Sequence, residues 1–258
     1  MVERFLRPEA ETIMNLGCVT GTSEQSPERV VIVDLDGTLS LANTFWLWVR
    51  LALSGEGVPR SCPTRNRIRL EMACLVVLRL LHIVDHDRLK YLVHHRCRAL
   101  LSGEYRKSFV EATLSRVIDS LNPAVRAHLA AYQTPGTRFV LSTAAFEDYA
   151  EPLAAFLGFD GCVATRYASA PNWIHNIRER KSSETMAFLK SRQWDKATLT
   201  VITDHEDDLP LMMHSNESLI FGMNKDRYER IREILGRKGV RSQLIGMFNI
   251  PSAVGEYA

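Results

Sequence analysis

Two aspartates stand two residues apart in the run Asp34-Leu35-Asp36-Gly37-Thr38, directly after a short apolar stretch. A pair so placed can serve one site. One carboxylate can attack phosphorus to give an aspartyl-phosphate, and the other can protonate the leaving oxygen and then activate water. On its own, a D-x-D pair after a strand reads more simply as a polar turn. Its meaning therefore depends on distant partners.

The strongest partner is the run Thr203-Asp204-His205-Glu206-Asp207-Asp208, which follows another apolar stretch and places four acids within five positions. Such crowding is costly in repulsion unless a cation or solvent compensates, and hard carboxylate oxygens suit Mg²⁺. An acidic helix start favoured by the helix dipole explains some of these acids, but not their partnership with Asp34. Ser142 can offer its hydroxyl and nearby backbone amides to a phosphate oxygen. Lys181 can neutralise both a phosphoryl group and a nucleophilic carboxylate. Taken singly, both are unremarkable, because serines cap helices and lysines sit on surfaces.

The elements that must position these residues alternate. Residues 29–35 (RVVIVDL) read as a buried strand that stops at a turn, which places Asp34 at a strand end. A second strand is expected over 137–142 with a helix over 144–157, then strands over 197–203 and 218–223, with helices over 183–194 and 228–235. The alternation predicts an α/β fold on a parallel sheet. Ligands of such sheets bind outside the carboxyl ends of the strands, where Asp34, Asp36, Ser142 and the 203–208 run would converge.

Between the first two strands lie about 85 residues, far more than the dozen or so a crossover needs. Helical periodicity over 65–84, 87–101 and 108–121 makes residues 41–122 a helical accessory domain. The catalytic core is then 29–40 with 123–258, and residues 1–28 read as a leader without the apolar run of a secretory signal. The net charge of +2 is uneven. Residues 50–107 hold 12 Lys/Arg against 5 Asp/Glu, a basic region that could steer anionic substrates, touch an anionic membrane or present a solvated face. No nucleic-acid reader motif accompanies it.

Five cysteines, odd in number and never C-x-x-C, fit a reduced cytoplasmic compartment. No apolar stretch reaches the ~20 residues of a spanning helix. Residues 45–53 (FWLWVRLAL) read as a core helix, with an interfacial anchor through Trp46 and Trp48 as the alternative. His82, His86, His94 and His95 read as ordinary polar helix positions rather than a transition-metal site.

Taken in order, DLDGT (34–38), VLST (140–143), Lys181 ahead of a helix, and VITDHEDDLPLM (201–212) resemble the haloacid dehalogenase superfamily. The resemblance covers nearly everything after residue 28 and implies a Rossmann-like core with a helical cap of the kind found in phosphoserine phosphatase-like members. It implies a Mg²⁺-dependent phosphohydrolase acting on a small phosphorylated substrate, with Asp34 as nucleophile and Asp36 as general acid/base. Ser142, Thr143 and Lys181 would hold phosphate. Asp34, the Asp36 carbonyl, Asp204 and Asp208 would hold the metal. Superfamily dehalogenases and phosphonatases lack an aspartate where Asp36 stands, so phosphate esters are favoured. Phosphoserine phosphatases carry a glutamate nine residues after the nucleophile; Asn43 occupies that place here, which argues against free phosphoserine. The fourth motif departs from the usual Gly-Asp-Ser, with Thr203 and His205 around Asp204. Two alternatives stand beside this reading: a peripheral membrane enzyme acting on a lipid phosphate, and a degenerate member that only binds.

Overall fold

The computed structural model describes residues 27–169 and 172–246, so the leader expected over 1–28 falls almost wholly outside the described residues. Six strands, β1 (Arg29–Val33), β2 (Thr137–Phe146), β3 (Gly161–Thr165), β4 (Thr198–Thr203), β5 (Glu217–Phe221) and β6 (Arg241–Ile245), form one sheet in the order β3-β2-β1-β4-β5-β6. Every pairing is parallel.

Successive side chains of a strand point to opposite faces, so a parallel sheet covered on both faces needs apolar residues on both. β1 supplies them without a break. Val31 and Val33 join Phe139, Leu141, Ile202 and Phe221 on one face, while Val30 and Ile32 join Val140, Leu199, Val201 and Ile220 on the other. The second face is covered by α7 (Arg178–Ser191), α8 (Leu209–Met212) and α9 (Lys225–Arg237), through Leu189, Leu211, Ile231 and Leu235. The first face is covered by α5 (Pro123–Ala131) and α6 (Glu147–Phe156).

Between β1 and β2 run α1 (Thr44–Ser54), α2 (Arg65–Leu80), α3 (His86–Leu100) and α4 (Gly103–Asp119). Asn43 caps α1 by accepting from the Trp46 N–H, and Asp85 caps α3 by accepting from the Arg88 N–H. α1 stops at Gly55, whose φ of 72° lets its N–H reach back to the Leu51 carbonyl. An aromatic cluster joins these helices to the sheet: the ring of Trp48 lies 4.7 Å from Phe109 of α4, 5.2 Å from Tyr149 of α6 and 5.9 Å from Phe146 at the end of β2. Trp48 is thus core, 1% exposed, and Trp46 is partly open at 36%. The membrane-anchor reading of the pair does not hold for Trp48.

Several boundaries differ from those expected. β2 runs on to Phe146, where a register shift against β3 carries it past the predicted end, so α6 starts at Glu147 rather than Ala144. β3 and β6 were not expected, and they are the two edges of the sheet. α7 begins at Arg178, five residues early, which puts Lys181 inside a helix rather than ahead of one. No helix among the described residues is long and apolar enough to cross a membrane.

Candidate active site

Val33 pairs with Leu141 of β2 on one side and Ile202 of β4 on the other, so Asp34 is the next residue out from the sheet, level with Ser142 and Thr203. This is where the chain order reverses across β1, the position at which open α/β sheets place their ligands. A cavity of about 760 Å³ opens there, lined by Asp34, Asp36, Thr143, Lys181, Asp204 and Asp208 among others.

The turn after β1 is built on Gly37, whose φ is 78°. A Cβ at Gly37 would collide with the Asp204 carboxylate, so glycine is required both by conformation and by the close approach of the two loops. Thr38 donates to Asp204 Oδ1 at 2.9 Å, fixing that carboxylate against the same turn. Asp36 Oδ1 accepts the backbone N–H of Thr44 at 2.7 Å, at the first residue of α1, where the helix presents free amides. The inserted helices therefore begin by orienting Asp36.

Lys181 lies at the centre. Its Nζ is 2.6 Å from Asp34 Oδ1 and 2.7 Å from Asp208 Oδ1, and Asp208 also accepts from the Thr203 hydroxyl at 2.6 Å. Burial works against the Lys181 ammonium, but Asp208 and Asp34 outweigh it and raise its pKa above the ordinary lysine value. Asp34 is pushed up to about 8, first by burial and then by Asp208 and Asp204, with Lys181 opposing. Burial likewise pushes Asp204 up to about 6. One lysine does not balance these carboxylates.

Thr203 and His205, the departures in the fourth motif, have defined places. Thr203 ends β4 with its hydroxyl on Asp208, and His205 accepts the Asp207 N–H, capping a 3-10 turn over Glu206–Asp208. The Ser142 hydroxyl is fully buried 2.7 Å from that of Thr185, and it is Thr143 and Ala144 that line the cavity beside it. Among the described residues no set of three or more His, Cys, Asp or Glu already stands in metal-holding geometry. His94 is bound to Asp148 at 2.7 Å, and His82 is exposed at the end of α2.

Sequence reasoning missed a second group on the cavity wall, formed by Asp85, His86, Asp87, Lys90, His175 and Arg178. One signal for it existed. The inward stripe of α3 is Leu89, Lys90, Val93, His94, Cys97 and Leu100, and a lysine on such a stripe calls for a reason.

A model of the haloacid dehalogenase-like hydrolase family matches residues 31–213. Comparison with curated proteins gives no match. Among solved structures, a protein of unknown function from Bordetella pertussis Tohama I is similar at a TM-score of 0.62 and 21% identity, over 86% of this chain and 100% of that one. A HAD family hydrolase from Salmonella enterica subsp. enterica serovar Typhi gives 0.54 and 14%, over 86% and 69%. A probable phosphoserine phosphatase from Vibrio cholerae gives 0.53 and 10%, over 84% and 62%. These likenesses describe a shared fold. The family match spans well over half of the chain and runs from β1 through the acidic run to just past α8, and the chain belongs to the haloacid dehalogenase-like hydrolase family.

Proposed function

We propose that the chain is a Mg²⁺-dependent phosphomonoester phosphatase that works through an aspartyl-phosphate on Asp34, with residues 41–122 as a cap over the site. The observation that carries this reading is the position of Lys181, whose ammonium bridges Asp34 and Asp208 at the end of the central strand, beside Asp36 and Asp204. Asp34 Oδ attacks phosphorus, the ester P–O bond breaks, and Asp36 gives its proton to the departing alcohol. Water then attacks the acyl-phosphate, Asp36 takes its proton, and phosphate leaves with Asp34 restored. Lys181 and the backbone around Ser142 and Thr143 hold the phosphoryl oxygens.

The residues fit a hard divalent cation. Asp34 and Asp204 are both raised by burial in a site short of positive charge, and the donors on offer are carboxylates and the Asp36 carbonyl. Bound there, Mg²⁺ would neutralise the carboxylates and polarise the phosphoryl group. Asp34→Asn keeps the shape and loses the attacking charge. It should abolish turnover of a phosphomonoester panel in Mg²⁺ while the circular dichroism spectrum stays unchanged. Substantial activity in the folded, uncontaminated variant would refute the nucleophile, and no turnover in the intact chain would leave a member that only binds.

One observation favours a lipid phosphate as a second reading. Leu80, Leu81 and Ile83 are 61%, 62% and 66% exposed at the end of α2, a few residues before His86 on the cavity wall. Sedimentation with anionic vesicles separates the two: failure to bind confines the enzyme to freely dissolved substrates.

A further inference from the structure

Three Lys or Arg side chains line the cavity among the described residues: Lys90, Arg178 and Lys181. Two are answered by carboxylates. Lys181 holds Asp34 and Asp208, and Arg178 Nε lies 2.9 Å from Asp207 Oδ1. Lys90, only 6% exposed, makes no ion pair among the described residues, and its Nζ instead lies 2.9 Å from His175 Nε2. The ring of Phe45 lies 5.4 Å from the same nitrogen.

The roles of the His175 ring nitrogens follow from taking Lys90 as an ammonium. An ammonium only donates, so His175 Nε2 accepts from Lys90. His175 Nδ1 then carries the ring proton and donates it to Asp87 Oδ1 at 2.8 Å. The imidazole is kept neutral: burial and then Lys90 push its pKa down to about 4, against an opposing contribution from Asp87. Asp87, His175 and Lys90 thus form a relay that aims the ammonium without neutralising it. A buried charge with only a neutral partner is expensive, and burial accordingly lowers the Lys90 pKa, with Asp36, Asp87 and Asp34 opposing. The missing counter-charge has a place to come from, because Lys90 faces the same cavity as Asp34.

We propose that Lys90 is the specificity-determining residue for a phosphomonoester that carries a second anionic group, either a carboxylate or a second phosphoryl, and that His175 is the positioning residue that holds it for that contact. The inference rests on the reading of the site as a phosphatase. A neutral or cationic tail would leave the ammonium as poorly satisfied as in the free protein, whereas an oxyanion forms a charge-assisted bond in a dry setting. Bonds to charged groups in such sites change affinity by about tenfold or more.

The test is calorimetric titration of the intact chain, in Mg²⁺, with three phosphonates that cannot be turned over. Phosphonoacetate has a carboxylate tail, ethylenediphosphonate a second phosphoryl, and n-propylphosphonate a neutral tail of similar size. At least one anionic-tail ligand should bind about tenfold or more tighter than the neutral one, and the tighter of the two names the natural group. Lys90→Met should remove this preference, Lys90→Arg should keep most of it, and His175→Leu should reduce it. Absence of the preference in the intact chain, its survival in Lys90→Met, an equal loss for all three ligands in that variant, or no binding of any of them would each overturn the inference. Hydrolysis of a panel of phosphomonoesters, some with a carboxylate or a second phosphoryl and some with neutral tails, is measured separately. No turnover of any of them beside a Lys90-dependent preference sinks the phosphatase reading and leaves the anion contact standing.

Discussion

Lys181 and Lys90 line one cavity and are almost equally closed off from solvent, yet their surroundings are opposite. Lys181 comes from the first turn of α7, and two carboxylates outweigh the cost of its burial and raise its pKa. Lys90 comes from the inserted helix α3, and its burial is not repaid, so its pKa falls. The first charge belongs to the resting protein, where it holds Asp34 and Asp208 together. The second is stabilised by little that the chain itself supplies. A buried cation that is fully paired is part of the framework, whereas one that is left short of a partner marks where a ligand completes the structure.

Thermal stability should show this difference most strongly. Lys181→Met leaves the buried Asp208 carboxylate without its cation and Asp34 without its donor, a loss on the order of 3–5 kcal/mol that a marginally stable domain registers as a large fall in Tm. Lys90→Met exchanges an unmatched charge for an apolar chain of similar length and should leave Tm unchanged or higher. Equal losses in the two variants, read by scanning calorimetry without ligand, would erase the distinction.

A smaller effect concerns pH at the Asp34 end. With Asp34 near 8 and Asp204 near 6 in the metal-free site, protons compete with Mg²⁺ for the same oxygens. Apparent Mg²⁺ affinity should fall as pH is lowered through 8 and again through 6, by up to about tenfold per unit for each carboxylate displaced. Titration calorimetry from about pH 8.5 to 5.5 checks it; a flat profile would mean that neither carboxylate is the group that the metal meets.

The smallest expected effect lies on the Lys90 side. His175 is depressed from 6.5 to about 4, so the unfolded chain binds a proton that the folded chain refuses. Its contribution is intact above pH 6.5 and is lost progressively as pH falls toward 4. Lys90 contributes to that depression, so denaturant midpoints should fall less between neutral pH and about pH 5 in Lys90→Met than in the intact chain. Identical slopes would mean that burial alone sets the His175 pKa.

How much of this was legible in the sequence follows from where each residue sits. Asp34, Asp36 and the 204–208 acids end central strands whose unbroken apolar runs announce them, because both faces of β1 and β4 are covered. The edge strands were not read. β6 (RSQLI) is mostly half-buried or exposed, and β3 (GCVAT) is short and begins at a glycine. Lys181 looked like a loop residue because the first turn of α7, RERK, has no apolar face; it is helical where it meets carboxylates rather than core. The 50–107 charge excess gave only a basic region. It could not show that Arg98 is tied to Glu147 and Asp148 while Lys90 is left without an acid, since pairing across 50 residues is a property of the fold.

The spacing along α3 has a further consequence. Lys90, His94 and Arg98 follow one another at intervals of four residues on one helix. His94 and Arg98 grip Asp148 and Glu147, at the start of the helix that leads away from Thr143. Each interval advances about 6 Å along the axis. α3 therefore works as a graduated rule clamped at one end, with the ammonium at a fixed mark relative to the phosphate loop. Moving that lysine by one turn, to the place of His86, would select a ligand of different length without disturbing the clamp, a route by which descendants of one scaffold could divide a series of homologous substrates among themselves.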